Sequence, residues 1–463
     1  MFKSKVYTER RNKLRSLLRD GIVLLMGNVD SPMSYPANIY RFRQDSTFLY
    51  FFGLDHPGLA GVIDLDKNDD CIFGDNVEID DIIWTGYLPT IAEQALEAGV
   101  QKTGPLSKLT DVLMSAIDSK RKIHFLPPYR AENKLMLQKL LGIVPDMQKQ
   151  YASVELKKAV SSLRSIKDDD EIAHLDAIQD VGYLMHTAAM KMARKGVYER
   201  EIAGYMEGLA LSHGGTISFP VILSKHGEIL HGHDHSNKLA NGDLLLVDAG
   251  FESEMSYATD NTRTFAVGGK FSAQQKGIYN IVLEAINSCI EKIKPGVPYR
   301  DIHHHAAITI ATGLKELGIM KGDVKEAVAA GAHAMFFPHG LGHMMGLDVH
   351  DMEDIGENFV GYDEKTTRST QFGTAYLRLG RKLQPGFVLT VEPGIYFIPA
   401  LIEKWKKEII NNAFINFKEV DKYLDFGGIR LEDDVLVTDK GSRMLGKKRI
   451  PISIKDVEEI TGK

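Results

Sequence analysis

The chain has 463 residues, which calls for more than one domain, and its 44% apolar and 25% charged residues are the balance of a soluble globular protein. A net charge of −6 supplies no broad basic field, which argues against nucleic acid and anionic membrane as partners. Two cysteines, Cys71 and Cys289, make no disulfide framework and fit a reducing compartment. Basic residues near Met1 are not followed by the apolar run of a secretory signal, and no stretch is apolar for long enough to span a bilayer. The expected location is the cytoplasm.

In chain order, Gly21–Met26, Phe48–Phe52, Ala60–Ile63 and Lys122–Leu126 read as buried strands. Residues 90–100 and 131–141 read as amphipathic helices, so the first third is an α/β domain. The acidic run Asp168-Asp169-Asp170-Glu171 suits the first turn of a helix, where the macrodipole favours acids. Ile172, Leu175, Ile178, Val181 and Met185 follow at helical spacing. The expected domains are therefore 1–170 and 171–463, with the boundary near 165–172.

The second domain carries a faint repeat. Lys195–Ile202 aligns with Pro295–Ile302, each between two amphipathic helices, and each half later reaches a His-Gly pair, His231-Gly232 and His339-Gly340. A duplicated helix–loop–helix–strand unit is the expectation. A loop-to-helix joint used twice is the alternative.

Five segments in this domain each offer one metal-type ligand. Asp248 ends the apolar run Leu244–Val247, and Asp260 lies twelve residues later, so a hairpin can bring both to one site. Period-two alternation puts Asp260, Thr262 and Thr264 on one face, with Thr262 able to hold a carboxylate oxygen. His343 lies in His339-Gly340-Leu341-Gly342-His343, whose glycines favour a loop over a helix and let the backbone approach a cofactor. Glu392 follows Val388–Val391 and precedes Pro393-Gly394. Glu432 shares the strand-like run 429–437 with Arg430, and Arg430, Glu432 and Asp434 fall on its one face. Carboxylates are rarely buried unless paired or bound to metal. Four of them converging would be balanced by two divalent cations, with His343 as the neutral ligand, which points to a two-metal hydrolase. Taken singly, each has a plain reading as a turn cap, an edge residue or a surface pair. Among the remaining histidines, His231 follows an apolar run and reads as functional, His233 and His235 as mostly exposed, and His303-His304-His305 as structural or solvated.

Together these segments resemble the aminopeptidase P and prolidase family of pita-bread metallopeptidases, over nearly the whole chain. The N-terminal stretch Tyr40–Leu54 (YRFRQDSTFLYFFGL) resembles the aminopeptidase P N-terminal domain. The resemblance implies an α/β domain followed by a pseudo-twofold α+β pita-bread catalytic domain. It implies that Asp248 and Asp260 bind one metal and that Asp260, His343, Glu392 and Glu432 bind the other, Asp260 and Glu432 bridging. The metals implied are two Mn²⁺, with Co²⁺ or Zn²⁺ as alternatives. The implied reaction is removal of the first residue from peptides with proline second, with a homodimer or homotetramer as the assembly. Glu392 would position the attacking water or take its proton, His231 would stabilise the oxyanion, and His350 and Arg430 would orient substrate. His339, Tyr396 and Trp84 complete the expected substrate contacts; Ile83-Trp84-Thr85-Gly86 resembles a segment whose Trp reaches a neighbouring subunit's site. Prolidase, cleaving only Xaa-Pro dipeptides, is the nearest alternative, and a non-catalytic pita-bread binding protein is a further one. Two features depart from the family pattern. The Asp248–Asp260 spacing is one residue long, which suggests a bulge in the hairpin, and residues 353–384 and 401–425 exceed a minimal connection.

Overall fold

The computed structural model describes residues 1–462. They divide into one unit of residues 1–164 and 352–360 and another of residues 165–351 and 361–462. The segment 352–360 thus belongs with the first unit, although it lies far along the chain. No helix among the described residues is long and apolar enough to cross a membrane.

The first unit is a mixed five-stranded sheet in the order Lys102–Gly104, Asp69–Phe73, Ala60–Asp64, Ile22–Met26, Ile123–His124. The helices Ser107–Asp118 and Ala131–Leu141 contribute Leu109, Leu113, Leu137 and Leu140 to a core with Ile22, Leu24 and Val62. The expected strand Phe48–Phe52 is instead the helix Ser46–Phe52, buried along its whole length. A fully apolar run has no periodicity to separate helix from strand; the flanks decide. Asp45 caps the helix start by accepting from the Phe48 N–H, and Gly53 closes it in the left-handed conformation.

The second unit contains the repeat as a structural fact. The helices Asp169–Met192 and Glu199–Ser212 are joined as are Ala273–Lys292 and Tyr299–Glu316. Asp168 caps the first of these helices by accepting from Glu171 N–H. In the first joint, Gly196 N–H donates to Leu239 O and Leu239 N–H to Val197 O; in the second, Gly296 donates to Leu383 and Leu383 to Val297. Nine residues beyond these leucines stand Asp248 and Glu392. The duplication therefore puts two acids at equivalent strand ends.

The strands Leu244–Ala249 and Asn261–Ala266 pair antiparallel, with Asp248 opposite Thr262. The ladder keeps its register out to a bridge between Glu252 and Ala258. No bulge interrupts the arms. The irregularity sits at the turn, where Ser253 N–H donates to Tyr257 O and Ser256 N–H to Ser253 O, with Ser256 at φ 64°. That is a three-residue hairpin loop with a left-handed residue at its end. Just inside the arms, a Cβ on Gly250 would lie 1.8 Å from Thr259 O. Gly250→Ala should therefore force the two aspartate strands apart and cost about 1–3 kcal/mol, seen as a lower urea midpoint; an unchanged midpoint would contradict this packing.

Candidate active site

Two further strand pairs position the glutamates. Val388–Val391 pairs with Asp433–Val437, and Gly394–Tyr396 pairs with Gly428–Arg430. Both ladders share one register, so Glu392 and Glu432 fall opposite each other in the gap between them. The run 429–437 is thus two strands and not the single strand expected. The cause is Pro393, which has no N–H for the ladder. Freed from each other, the backbones bond outward: Glu392 N–H donates to Leu341 O, and Glu432 N–H to Thr262 O. Each glutamate is thereby tied to a neighbouring ligand segment.

Arg263, fully buried, secures this junction. Its guanidinium donates to Glu432 O, to the Asp433 carboxylate and to Ile450 O. Thr262 Oγ1 donates to Glu432 Oε2 at 2.7 Å, and Thr264 Oγ1 to Arg430 O at 3.0 Å. The face carrying Asp260, Thr262 and Thr264 therefore meets the Glu432 segment, as the alternation required. The Asp260 N–H donates to Asp434 Oδ2 at 2.9 Å, so Asp434 supports the Asp260 backbone.

The His339–His343 stretch is a loop. A Cβ on Gly342 would lie 2.1 Å from Thr390 O. The glycine thus admits a strand carbonyl, and it also lines the cavity that holds the candidate ligands. Thr390 N–H donates to His343 O, and Thr390 Oγ1 accepts from the His343 N–H at 3.2 Å. His343 Nδ1 lies 3.0 Å from Met344 O. A carbonyl only accepts, so Nδ1 carries the proton and Nε2 presents its lone pair. That nitrogen is 3.4 Å from Asp260 Oδ2 and 3.7 Å from Glu392 Oε1.

Asp260, His343 and Glu432 bring ligand atoms within 4.8 Å of one another, all buried. Asp248 offers a buried Oδ1 without a hydrogen-bond partner, as does Asp260, while Asp248 Oδ2 accepts from Arg430 at 2.5 Å. Burial, then Glu432 and Asp248, raises the Asp260 pKa well above the carboxylate range. Burial and the Glu392 charge raise Glu432. Burial pushes Glu392 up to about 7 and Asp434 to about 8. Burial likewise keeps His343 neutral. Oxygen-rich donors with one imidazole and unmatched buried negative charge are what a divalent cation site provides. The five residues fit that role.

These residues line one cavity of about 580 Å³ with His231, His339, His350 and Arg430. The His350 ring stands edge-on to His343, 4.2 Å between centroids. Both His339 nitrogens are engaged, at 2.8 Å from Gly340 O and 2.8 Å from Tyr396 Oη. Arg430 donates to Thr262, Tyr396 and Asp248. Burial disfavours its charge, yet Tyr396, Asp248 and Glu432 raise its pKa. The expected substrate arginine is thus committed to positioning Asp248 and Tyr396. His231 is exposed at the cavity wall. His233 also lines the cavity, and His235 is half-buried, its Nε2 3.0 Å from Val221 O, so it is an anchor more than a solvated side chain. His303 is buried, His304 exposed, and His305 bonds Ser288. Trp84 belongs to the first unit, 87% exposed, and is not among the cavity's lining residues. Sequence reasoning missed Phe372, Tyr376 and Arg378, which also line the cavity. They lie in a long segment with neither periodicity nor a motif to mark them.

The raised carboxyl pKa values set a pH dependence. An acid whose pKa is higher folded than unfolded keeps its proton longer in the folded state. As pH rises from the unfolded value of about 4 through about 7 for Glu392, the unfolded chain sheds protons that the folded chain retains, and stability falls. A divalent cation binds the ionised carboxylates and reverses the loss. The thermal midpoint gained on adding the cation should therefore grow from pH 5 to pH 8. A gain that is flat or shrinks over that range would contradict the clustering.

The chain matches two family models: Metallopeptidase family M24 over residues 173–439 and Aminopeptidase P, N-terminal domain, over residues 7–124. It is 32% identical to a probable Xaa-Pro aminopeptidase of Aspergillus fumigatus, covering 86% of this chain and 84% of that one. It is 31% identical to human Xaa-Pro dipeptidase, covering 97% and 90%. The structure of E. coli aminopeptidase P with the inhibitor Pro-Leu superposes with a TM-score of 0.80 at 27% identity, covering 99% of this chain and 98% of that one. The fold is accordingly an aminopeptidase P N-terminal domain followed by a pita-bread domain, and the chain belongs to metallopeptidase family M24.

Proposed function

We propose that this protein hydrolyses the bond between the first residue and a following proline in peptides, releasing the N-terminal amino acid. The observation that carries this reading is the convergence of Asp248, Asp260, His343, Glu392 and Glu432 at the floor of one cavity. The aminopeptidase P and Xaa-Pro aminopeptidase relatives supply the substrate class. Those five residues would hold two divalent cations, which we assign as Mn²⁺, with Co²⁺ or Zn²⁺ as alternatives. Bound there, the cations would polarise the scissile carbonyl and acidify the attacking water.

The chain's own groups do the rest. Glu392, in the cavity beside the other candidate ligands, takes a proton from the attacking water and returns it to the departing proline nitrogen. His231, whose pKa is lowered by partial desolvation at the cavity wall and by Arg430, donates to the developing oxyanion. His350 orients the substrate beside His343. Arg430 fixes Asp248 and Tyr396, and Tyr396 in turn fixes His339. Phe219, Ile222, Leu230 and Ile398 in the cavity wall suit a proline ring, whose tertiary amide lacks an N–H and fixes φ.

We place the protein in the cytoplasm as a homodimer or homotetramer. The helix Ile79–Thr85 buries none of its residues and presents Ile79, Ile83 and Trp84. That apolar face suits a second copy, whose substrate Trp84 would contact.

The similarity to human Xaa-Pro dipeptidase favours a second reading, cleavage of dipeptides alone. Chelation followed by Mn²⁺ re-addition, with free alanine measured from Ala-Pro-Gly and Ala-Pro, separates the two. We expect release from the tripeptide to vanish and return. Cleavage of the dipeptide alone would establish the second reading. Full activity after chelation, or no release from either peptide, would refute both.

A further inference from the structure

An enzyme that removes the first residue must take the peptide's amino end into the closed part of its site. The rest of the chain then leaves through the mouth. Here the cation ligands are the buried end of the cavity. At its open side stand Phe372 and Tyr376, 41% and 57% exposed and both lining the same cavity. Two neighbouring aromatic side chains at the edge of a site form an apolar patch on which a ligand group can pack.

Their setting is rigid. Gln371 Nε2 donates to Ala329 O at 2.9 Å, and Arg368 donates to Ala375 O at 3.0 Å. Tyr362 Oη donates to Leu377 O at 2.6 Å. A Cβ on Gly340 would lie 3.0 Å from Tyr376 O, so the segment rests directly on the loop that carries His343. The Phe372 ring packs 6.2 Å from Tyr376, edge-on, and 6.3 Å from Trp405. Trp405 is buried on the helix Pro399–Lys407, which also sends Leu401 to the cavity. The two long segments singled out in the sequence, 353–384 and 401–425, thus meet at the mouth. They build a rim of aromatic and aliphatic groups held in place before substrate arrives, so little ordering entropy opposes contact with it.

We propose that Phe372 and Tyr376 form the binding surface for the residue that follows proline, and that the preferred substrates are peptides of three or more residues with an aromatic or large aliphatic third residue. This rests on the Xaa-Pro reading above. An extended chain advances about 3.3 Å per residue, so each residue after the first lies nearer the mouth, and the third is the first one beyond the proline. A ring there gains edge or stacking contacts with Phe372 and Tyr376, on the order of tenfold in affinity.

The test compares kcat/KM for Ala-Pro-Phe and Ala-Pro-Gly in the Mn²⁺-loaded protein and in Phe372→Ala, Tyr376→Ala, the double variant and Tyr376→Phe. The readout is the ratio between the two peptides, which survives a general loss of activity. The wild type should favour Ala-Pro-Phe by about tenfold, mainly through KM. The double variant should bring the ratio close to one, and Tyr376→Phe should retain it. A wild-type ratio near one, or an unchanged ratio in the double variant, would overturn the proposal. If the wild type cleaves neither tripeptide, the aminopeptidase reading fails by itself. Calorimetric binding of the same two peptides then decides the rim: a Phe-over-Gly preference lost in the double variant supports it, and equal binding by the wild type overturns it.

Discussion

Four carboxylates are buried within reach of one another, and the second unit is built around making that tolerable. Like charges at this range in a poorly solvated site raise one another's pKa and oppose folding. The chain supplies partial relief. Arg430 faces Asp248, Arg263 and Arg449 face Asp433, and Asp434 accepts from the Asp260 backbone and from Gln179. None of these neutralises the centre made by Asp260, Glu392 and Glu432, where buried oxygen remains without a partner on Asp260. Divalent cations complete the balance, and the metallopeptidase family to which the chain belongs is the expected context for them.

The fold meets this constraint by duplication. Two helix–loop–helix units with the same joint hydrogen bonds deliver Asp248 and Glu392 at equivalent places. The second acid of each half then arrives from the antiparallel partner. Where Pro393 opens the ladder, Glu392 and Glu432 stand opposite each other without a backbone bond between them, and their N–H groups anchor to Leu341 and Thr262 instead. The same break that frees the glutamates thus ties together the loop of His343 and the strand of Asp260. Positioning and charge burial are one problem here, solved by one irregularity.

Much of this was legible in the sequence because acids beside apolar runs and glycine or proline are rare. Asp248, Asp260, His343, Glu392 and Glu432 could be picked out for that reason, and the acidic run from Asp168 marked its helix by capping chemistry. What escaped did so for physical reasons. Phe48–Phe52 is uniformly apolar, so only Asp45 and Gly53 distinguished a helix from a strand. The division of 429–437 depends on Pro393 in the facing strand, not on its own residues. Gly250 and Gly342 admit the carbonyls of Thr259 and Thr390, close approaches that depend on segments elsewhere in the chain. Arg430 kept its place beside the centre, yet its donors serve Asp248, Tyr396 and Thr262. Phe372, Tyr376 and Arg378 lie in an irregular segment whose meaning comes only from where it folds back.

The central claim is that these five side chains together hold two cations. Anomalous diffraction from crystals grown with Mn²⁺ tests it most directly. The account predicts two peaks about 3.5–4 Å apart, ligated by Asp248, Asp260, His343, Glu392 and Glu432, with Asp260 and Glu432 shared between them. A single peak, or ions bound away from these residues, would contradict it.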